Sequence, residues 1–302
     1  MKKIILLIII SILFSSFFTF PNTGKCKEAN RNIFYIDVGG TGNYKKIQDG
    51  IDNASVGDTI FVYNGTYYEN ILVNKTVNII GENKENTVIN GYIKDVNNSF
   101  LIALYVLANN VNITGFTITN NIFGYEKIDS SVFGVGILIK ANNTTINGNI
   151  IKENTIGISL ETAYYNLIIN NTFSNISNIG IQISYTCKNN SLYYNNFMNN
   201  TENANDYGNN NWNNSMHGNY WDDYNEYDKN NDGIGDKPYK IPKGNNNDNY
   251  PLMMPYDGTF QIKEFYVDYT SVFTMLIIGM IIIIIFLIPI AYFWNKKTKN
   301  SK

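Results

Sequence analysis

GILIKANNTTINGNIIKENTIGISLETAYYNLIINNTFSNISNIGIQI, residues 136–183, repeats itself. Gly136-Ile137, Gly157-Ile158 and Gly180-Ile181 stand 21 and 23 residues apart, and each opens a short alternation, GILI, GISL and GIQI. Between them lie TTINGNII (144–151) and NLIINNTF (166–173); VNITGFTI (111–118) precedes them and SLYYNNF (191–197) follows. Short polar–apolar alternations of period two read as strands. A unit near 22 residues, made only of strands and tight Asn/Gly turns, is a solenoid signal. One coil cannot bury its inward side chains alone; stacked coils can, with Ile, Val, Leu and Phe forming a central column. A leucine-rich repeat would need a leucine-dominated pattern, and a β-sandwich would not give near-constant spacing. The expectation is an all-β, single-stranded parallel β-helix of about eight coils, roughly 40 Å tall at a strand spacing of ~4.8 Å.

Composition agrees with that reading. Asn supplies 52 of 302 residues, Arg and His one each (Arg31, His217), and the formal net charge is -2. So few cations argue against a nucleic-acid partner, and the steady recurrence of Ile, Val, Phe and Tyr argues against disorder. Asn tolerates left-handed turns and bonds nearby backbone, and its amides can stack as ladders in successive coils. Asn142-Asn143, Asn170-Asn171 and Asn195-Asn196 are the candidate turn or ladder positions; the alternative source of the Asn excess is an AT-rich genome. Cys26 and Cys187 are the two cysteines. They make no disulfide framework.

Upstream of the repeats, YKKIQDGIDNA (44–54) places Ile47 and Ile51 on one face of a short helix. TIFVY (59–63), NILV (70–73) and TVNII (76–80) then read as strands. A helix there would cover the open end of the apolar column, where an exposed edge invites aggregation. Residues 1–28 read as a signal peptide and leader: Lys2 and Lys3 precede an uncharged run from Ile4 to Phe20. Val272 to Trp294 is an uncharged run of 23 residues, long enough to span a bilayer. Tyr266, Tyr269 and Phe273 border it on one side and Tyr292, Phe293 and Trp294 on the other, as an interfacial belt does. Lys296, Lys297, Lys299 and Lys302 place the 295–302 tail in the cytoplasm by the positive-inside rule. The expected order is leader, β-helix domain (33–257, its terminal cap 218–257), linker (258–271), transmembrane helix (272–294) and basic tail. The domain would then be extracellular and held to the cell membrane in a single pass.

The residues carry a family resemblance at two places. GNYKKIQDGIDNASVGDTIFVYNGTYYENILVNKTVNIIGEN (42–83) resembles the opening of β-helix proteins related to the periplasmic copper-binding NosD group and, more distantly, the pectate-lyase superfamily. GNYWDDYNEYDKNNDGIGDKPYKIP (218–242) with DNYPLM (248–253) resembles the segment that closes such domains in archaeal surface proteins. The resemblance implies a right-handed helix with a capped end. It implies no settled activity, because a fold is a scaffold for many.

Candidate chemistry is sparse. Asp228, Asn230 and Asp232, followed by Gly233 and then Asp236, match the start of a calcium loop. Tyr239 replaces the bidentate Glu at the twelfth position, so a standard EF-hand is excluded; the choice is between an isolated calcium-stabilised loop and an acidic turn. Copper would draw on Met198, Met216, His217 and Cys187, a thin set with one His. Polysaccharide lysis or hydrolysis needs acids with a Lys or Arg, or paired carboxylates, on one face. Between 135 and 200 the acids are Glu153 and Glu161, and Lys152 beside Glu153 reads as a solvated turn. Asp222 and Asp223 near Trp212, Tyr220 and Trp221 suit either a sugar platform or a packed cap. No catalytic residue is assigned. Asn-x-Ser/Thr sequons at Asn64, Asn74, Asn97, Asn112, Asn142, Asn143, Asn170, Asn175, Asn189, Asn199 and Asn213 are candidate glycan acceptors on an external protein. The leading reading is a membrane-anchored surface scaffold, structural, adhesive or binding a polysaccharide or envelope protein. A carbohydrate-active enzyme and a copper-handling protein are the alternatives.

Overall fold

The inward residues of each coil are large and branched, and each stacks on its equivalent in the next coil. In the computed structural model, which describes residues 31–91, 100–120 and 133–258, Ile60, Ile79, Ile113, Ile146, Ile168 and Leu192 form one such column, all fully buried. Tyr67, Ile89, Ile118, Ile151, Phe173, Phe197 and Trp221 form a second, and Ile71, Leu104, Ile137, Ile158, Ile181 and Ala204 a third. Each column belongs to one parallel sheet. Among the described residues the first sheet has eight strands, the second seven and the third six.

The chain visits the sheets in a fixed order. Thr59–Val62, Gly65–Tyr68 and Ile71–Val73 lie in the first, second and third sheets, and the same sequence recurs through Lys188–Tyr193, Asn196–Met198 and Glu202–Asp206. Ile33–Ile36 begins the first sheet; Asn209–Asn211 and Tyr220–Trp221 end the first and second. This is the parallel β-helix expected. Four segments need correction, however. VNITGFTI, TTINGNII, NLIINNTF and SLYYNNF are each two strands meeting at a corner, for example Asn112–Thr114 with Thr117–Thr119 and Leu167–Ile169 with Thr172–Ser174. The corner residue has a left-handed backbone, as at Gly115, Gly148, Asn170 and Tyr194. Asn110, Asn143, Tyr165 and Asn189 turn the corner from the third sheet to the first, and Glu153, Asn175 and Asn199 the one from the second to the third. Gly and Asn suit these positions for steric reasons.

An inward asparagine follows most of these residues. Asn149, Asn171, Asn195 and Asn219 are buried in one column, and Asn166, Asn190 and Asn210 in another. Their side-chain amides donate to main-chain carbonyls within the coil stack, Asn171 Nδ2 to Ile146 O at 2.8 Å and Asn195 Nδ2 to Ile168 O at 2.8 Å. Such ladders satisfy polar groups that the corners would otherwise bury unpaired.

The short helix is Ile47–Asn53, with Ile47 and Ile51 fully buried. Its N-terminus is capped from the next coil: Ile47 N and Gln48 N donate to the two Glu69 carboxylate oxygens at 2.8 and 3.0 Å. Gln48 also pairs with the free edge of the third sheet, its Oε1 accepting from Leu72 N at 2.8 Å and its Nε2 donating to Leu72 O at 3.3 Å. The helix therefore covers both the apolar column and a strand edge. The leader (1–28), Cys26 and the apolar run 272–294 lie outside the described residues. Among the described residues no helix is long and apolar enough to cross a membrane.

Candidate binding surface

Strand alternation sends every second residue of the first sheet outward. Tyr35, Phe61, Ile80, Thr114, Asn147, Ile169 and Tyr193 stand in register as one outward row. Across the eight strands of this sheet one residue is charged, Lys188, at the start of its strand. At one end of the row three rings meet. Tyr35 stacks on Tyr63 at 6.0 Å between centroids, and Phe61 meets Tyr63 edge-on at 5.3 Å. Tyr35 is 40% exposed. At the other end Tyr193 meets Tyr194 edge-on at 5.3 Å. Between them stand amides, hydroxyls and half-buried aliphatic groups. A face of this chemistry can stack apolar ring surfaces and exchange hydrogen bonds with hydroxyls. It carries no acid–base pair.

The closing end is packed rather than open. Phe173, Phe197, Trp221 and Tyr239 form a continuous stack with centroid separations of 4.9, 4.3 and 4.2 Å. Trp212 and Trp221 are buried, so the sugar platform weighed for this region is a packed cap. Asp222 and Asp223 are tied into it: Asn203 Nδ2 donates to both carboxylates at 3.0 and 2.9 Å, and Tyr239 OH donates to Asp223 at 3.1 Å. Burial, with the Asp223 charge beside it, holds the Tyr239 phenol well above its ordinary range. Two more carboxylates, Asp206 and Asp248, are fully inaccessible, and burial raises both, Asp248 to about 6. Sequence reasoning missed these two, because nothing in their neighbours distinguishes an inward Asp from a turn Asp.

The proposed calcium loop is folded on its own backbone. Asp228 accepts from Asp232 N at 3.2 Å and Gly233 N at 2.9 Å, Asp232 accepts from Ile234 N at 2.9 Å, and Asp236 accepts from Lys229 N at 3.2 Å. Asn230 Nδ2 donates to Asp232 at 2.8 Å. Among the described residues no group of three His, Cys, Asp or Glu side chains is placed to hold a metal ion.

Of the copper candidates, Cys187 and His217 sit at different corners. Cys187 is buried at the corner between the third and first sheets, taking a hydrogen bond from Ala163 N at 3.4 Å. His217 lies against the corner between the first and second sheets, its Nδ1 2.9 Å from Tyr194 OH. It is half-buried, and burial pushes its pKa down. Held at separate corners, Cys187 and His217 do not fit one copper centre. Glu153 and Glu161 also sit apart: Glu153 turns a corner beside Lys152 at 3.6 Å, while Glu161 pairs with Lys140 at 2.8 Å. Of the sequons, Asn64, Asn74, Asn143, Asn175, Asn189 and Asn199 are exposed; Asn112, Asn142, Asn170 and Asn213 are partly buried. Asn97 lies outside the described residues. Asn53-Ala54-Ser55 is a further sequon that the sequence reading omits, with Asn53 exposed at the end of the helix.

Three stacked parallel sheets, left-handed corners and inward asparagine ladders define the chain as a parallel β-helix protein. Within that class it resembles NosD: residues 116–226 match the family model described as "Periplasmic copper-binding protein (NosD)". No curated protein matches the chain. Among solved structures it is similar to pectin methylesterase from carrot, with 13% identity, TM-score 0.34, and coverage of 57% of this chain and 63% of that one. Alginate lyase from Paenibacillus sp. str. FPU-7 gives 16% identity, TM-score 0.37 and coverage of 59% and 74%. The pectin methylesterase from Aspergillus niger gives 13% identity, TM-score 0.42 and coverage of 63% and 74%. The chain thus spans less than two thirds of the carrot enzyme's length.

Proposed function

We propose that this chain is a surface-displayed β-helix that binds an uncharged polysaccharide along the outward face of its first sheet. The observation that supports the reading is the face itself, with aromatic rings in register and a single charged residue, Lys188, in eight strands. A polyanion would call for cations on that face. A neutral sugar chain offers apolar ring faces to Tyr and Phe, and hydroxyls to Asn and Thr. The carbohydrate-active enzyme reading is disfavoured by the dispersal of Lys140, Lys152, Glu153 and Glu161 into local pairs at different edges.

The test is retention of the purified chain on insoluble neutral glycans, glucose-, mannose- and N-acetylglucosamine-based, beside immobilised polygalacturonate. Retention on a neutral glycan, reduced in Phe61→Ala, supports the proposal; retention on polygalacturonate alone would sink it.

The proposed setting is external. The leader would direct secretion, residues 272–294 would anchor the domain in the cell membrane, and 295–302 would face the cytoplasm. Protease protection of the tail in intact cells checks this; a digested tail would refute it. Exposed sequons are the proposed glycan acceptors, checked by mass spectrometry of peptides from the native protein; unmodified peptides throughout would remove the idea. Calcium binding by Asp228, Asn230, Asp232 and Asp236 is proposed as a stabiliser of the cap, and titration calorimetry with no heat would dismiss it.

A further inference from the structure

Each of the two buried asparagine columns runs onto a buried carboxylate. In the first, the main-chain N–H and the side-chain Nδ2 of each asparagine both donate to Oδ1 of the next. Asn149 donates to Asn171 at 2.9 and 3.2 Å, Asn171 to Asn195 at 3.1 and 3.1 Å, and Asn195 to Asn219 at 3.1 and 2.9 Å. Asn219 then donates both groups to Oδ2 of Asp248, at 2.6 and 3.3 Å. Trp221 Nε1 reaches the same oxygen at 3.0 Å, and Tyr250 N donates to Oδ1 at 3.0 Å.

The second column repeats the pattern as far as Asn210, whose main-chain N–H donates to Asn246 Oδ1 at 3.4 Å and not to a carboxylate. Asn166 donates to Asn190 at 2.9 and 2.9 Å, and Asn190 to Asn210 at 3.0 and 2.8 Å. Asn210 Nδ2 turns to the Asp206 oxygens at 2.9 and 3.1 Å, where Trp212 Nε1 (2.9 Å) and Gly208 N (2.8 Å) also donate.

An asparagine side chain relays such a column, since it accepts at Oδ1 and donates at Nδ2; an ionised aspartate only accepts. Aligned amides also leave their donor ends pointing toward the last coil, where a carboxylate is the matching charge. The same closing segments cover the main-chain edge. Leu252 N donates to Asn219 O and Gly218 N to Tyr250 O, both at 2.8 Å, Asp206 N donates to Pro242 O at 3.1 Å, and Asn246 Nδ2 to Gly208 O at 3.0 Å. Uncovered, that edge would be a template for another chain.

We propose that Asp206 and Asp248 are stop residues at the ends of the asparagine columns, and that Asp248 holds the closing segment on the last coil and so keeps its edge from pairing with a second copy of this chain. In Asp248→Asn the new Nδ2 would face Tyr250 N–H, two donors opposed, and the segment would loosen.

The experiment uses the full-length chain carrying Asp248→Asn and the Asp206→Asn/Asp248→Asn pair, with far-UV circular dichroism, sedimentation and amide exchange. The expected result is native dichroism, at least tenfold faster exchange at Tyr250 and Leu252, and concentration-dependent association. Fast exchange in a chain that stays monomeric overturns the proposal, and so does unchanged exchange. If the variants lose native dichroism, the wild type is examined in mild urea. There, opening at Tyr250 and Leu252 that depends on protein concentration supports the proposal, and opening independent of concentration overturns it.

Discussion

At Gly157 the neighbouring coil leaves no room for a methyl group. A Cβ there would lie 2.4 Å from the carbonyl oxygen of Gly180; at Gly180 it would lie 2.4 Å from Asn203 O, and at Gly136 2.6 Å from Gly157 O. The recurring Gly-Ile pairs that reveal the coil in the sequence are thus steric necessities, places where successive turns touch backbone to backbone. Gly157→Ala should destabilise the chain by about 1–3 kcal/mol, the usual cost of forcing extra volume into a packed interior. A urea titration monitored by circular dichroism checks this, and an unchanged midpoint would contradict it. Other residues were less legible. Asn171 and Asn195 read as turn or ladder positions, with their direction left open because polar side chains are expected outside, and Asn149 carries no reading; all three point inward and carry the ladders. Their burial shows only when the coils are stacked, since each needs a partner roughly two dozen residues away.

The two ends of the β-helix illustrate how elements close what residues begin. The short helix was legible from the spacing of Ile47 and Ile51; its capping by Glu69 was not, because the partner lies 22 residues on. Replacing Ile47 and Ile51 with Asp places two charges where the apolar column ends, so soluble yield and thermal stability should both fall; unchanged values would refute the capping role. At the far end, burial outweighs the hydrogen bonds to Asp248 and raises its carboxyl to about 6 from an ordinary 3.8. The folded chain then holds a proton between those values that the unfolded chain has released, so stability is fullest below about 4 and declines as pH rises through 6. Asp206, raised by burial as well, adds to the same slope. Unfolding midpoints across this window should therefore fall more steeply in the wild type than in the Asp206→Asn/Asp248→Asn pair. Equal slopes would contradict the assignment. The corners were misread for a related reason. In VNITGFTI the bend at Gly115 preserves the polar–apolar rhythm, so two strands look like one.

For the molecule as a whole, three sheets share one apolar interior and expose faces that are nearly free of charge. The strands of the second sheet contain Lys152 alone, and those of the third Glu202 and Asp206. The first sheet differs in presenting rings at both ends of one row. That row was invisible in the sequence, because its members are separated by whole coils and acquire a common direction only through strand register. If the row is a binding surface, each stacking ring contributes on the order of 0.5–1.5 kcal/mol. Phe61→Ala should then weaken binding by up to about tenfold, and Tyr193→Ala similarly. The most direct measurement is calorimetric titration of the purified chain with soluble neutral oligosaccharides of the kind retained, and with oligogalacturonate under the same conditions. The account predicts heat from a neutral oligosaccharide, diminished in both variants, and none from the anionic one. Binding of oligogalacturonate alone, or neutral binding untouched by Phe61→Ala and Tyr193→Ala, would contradict it.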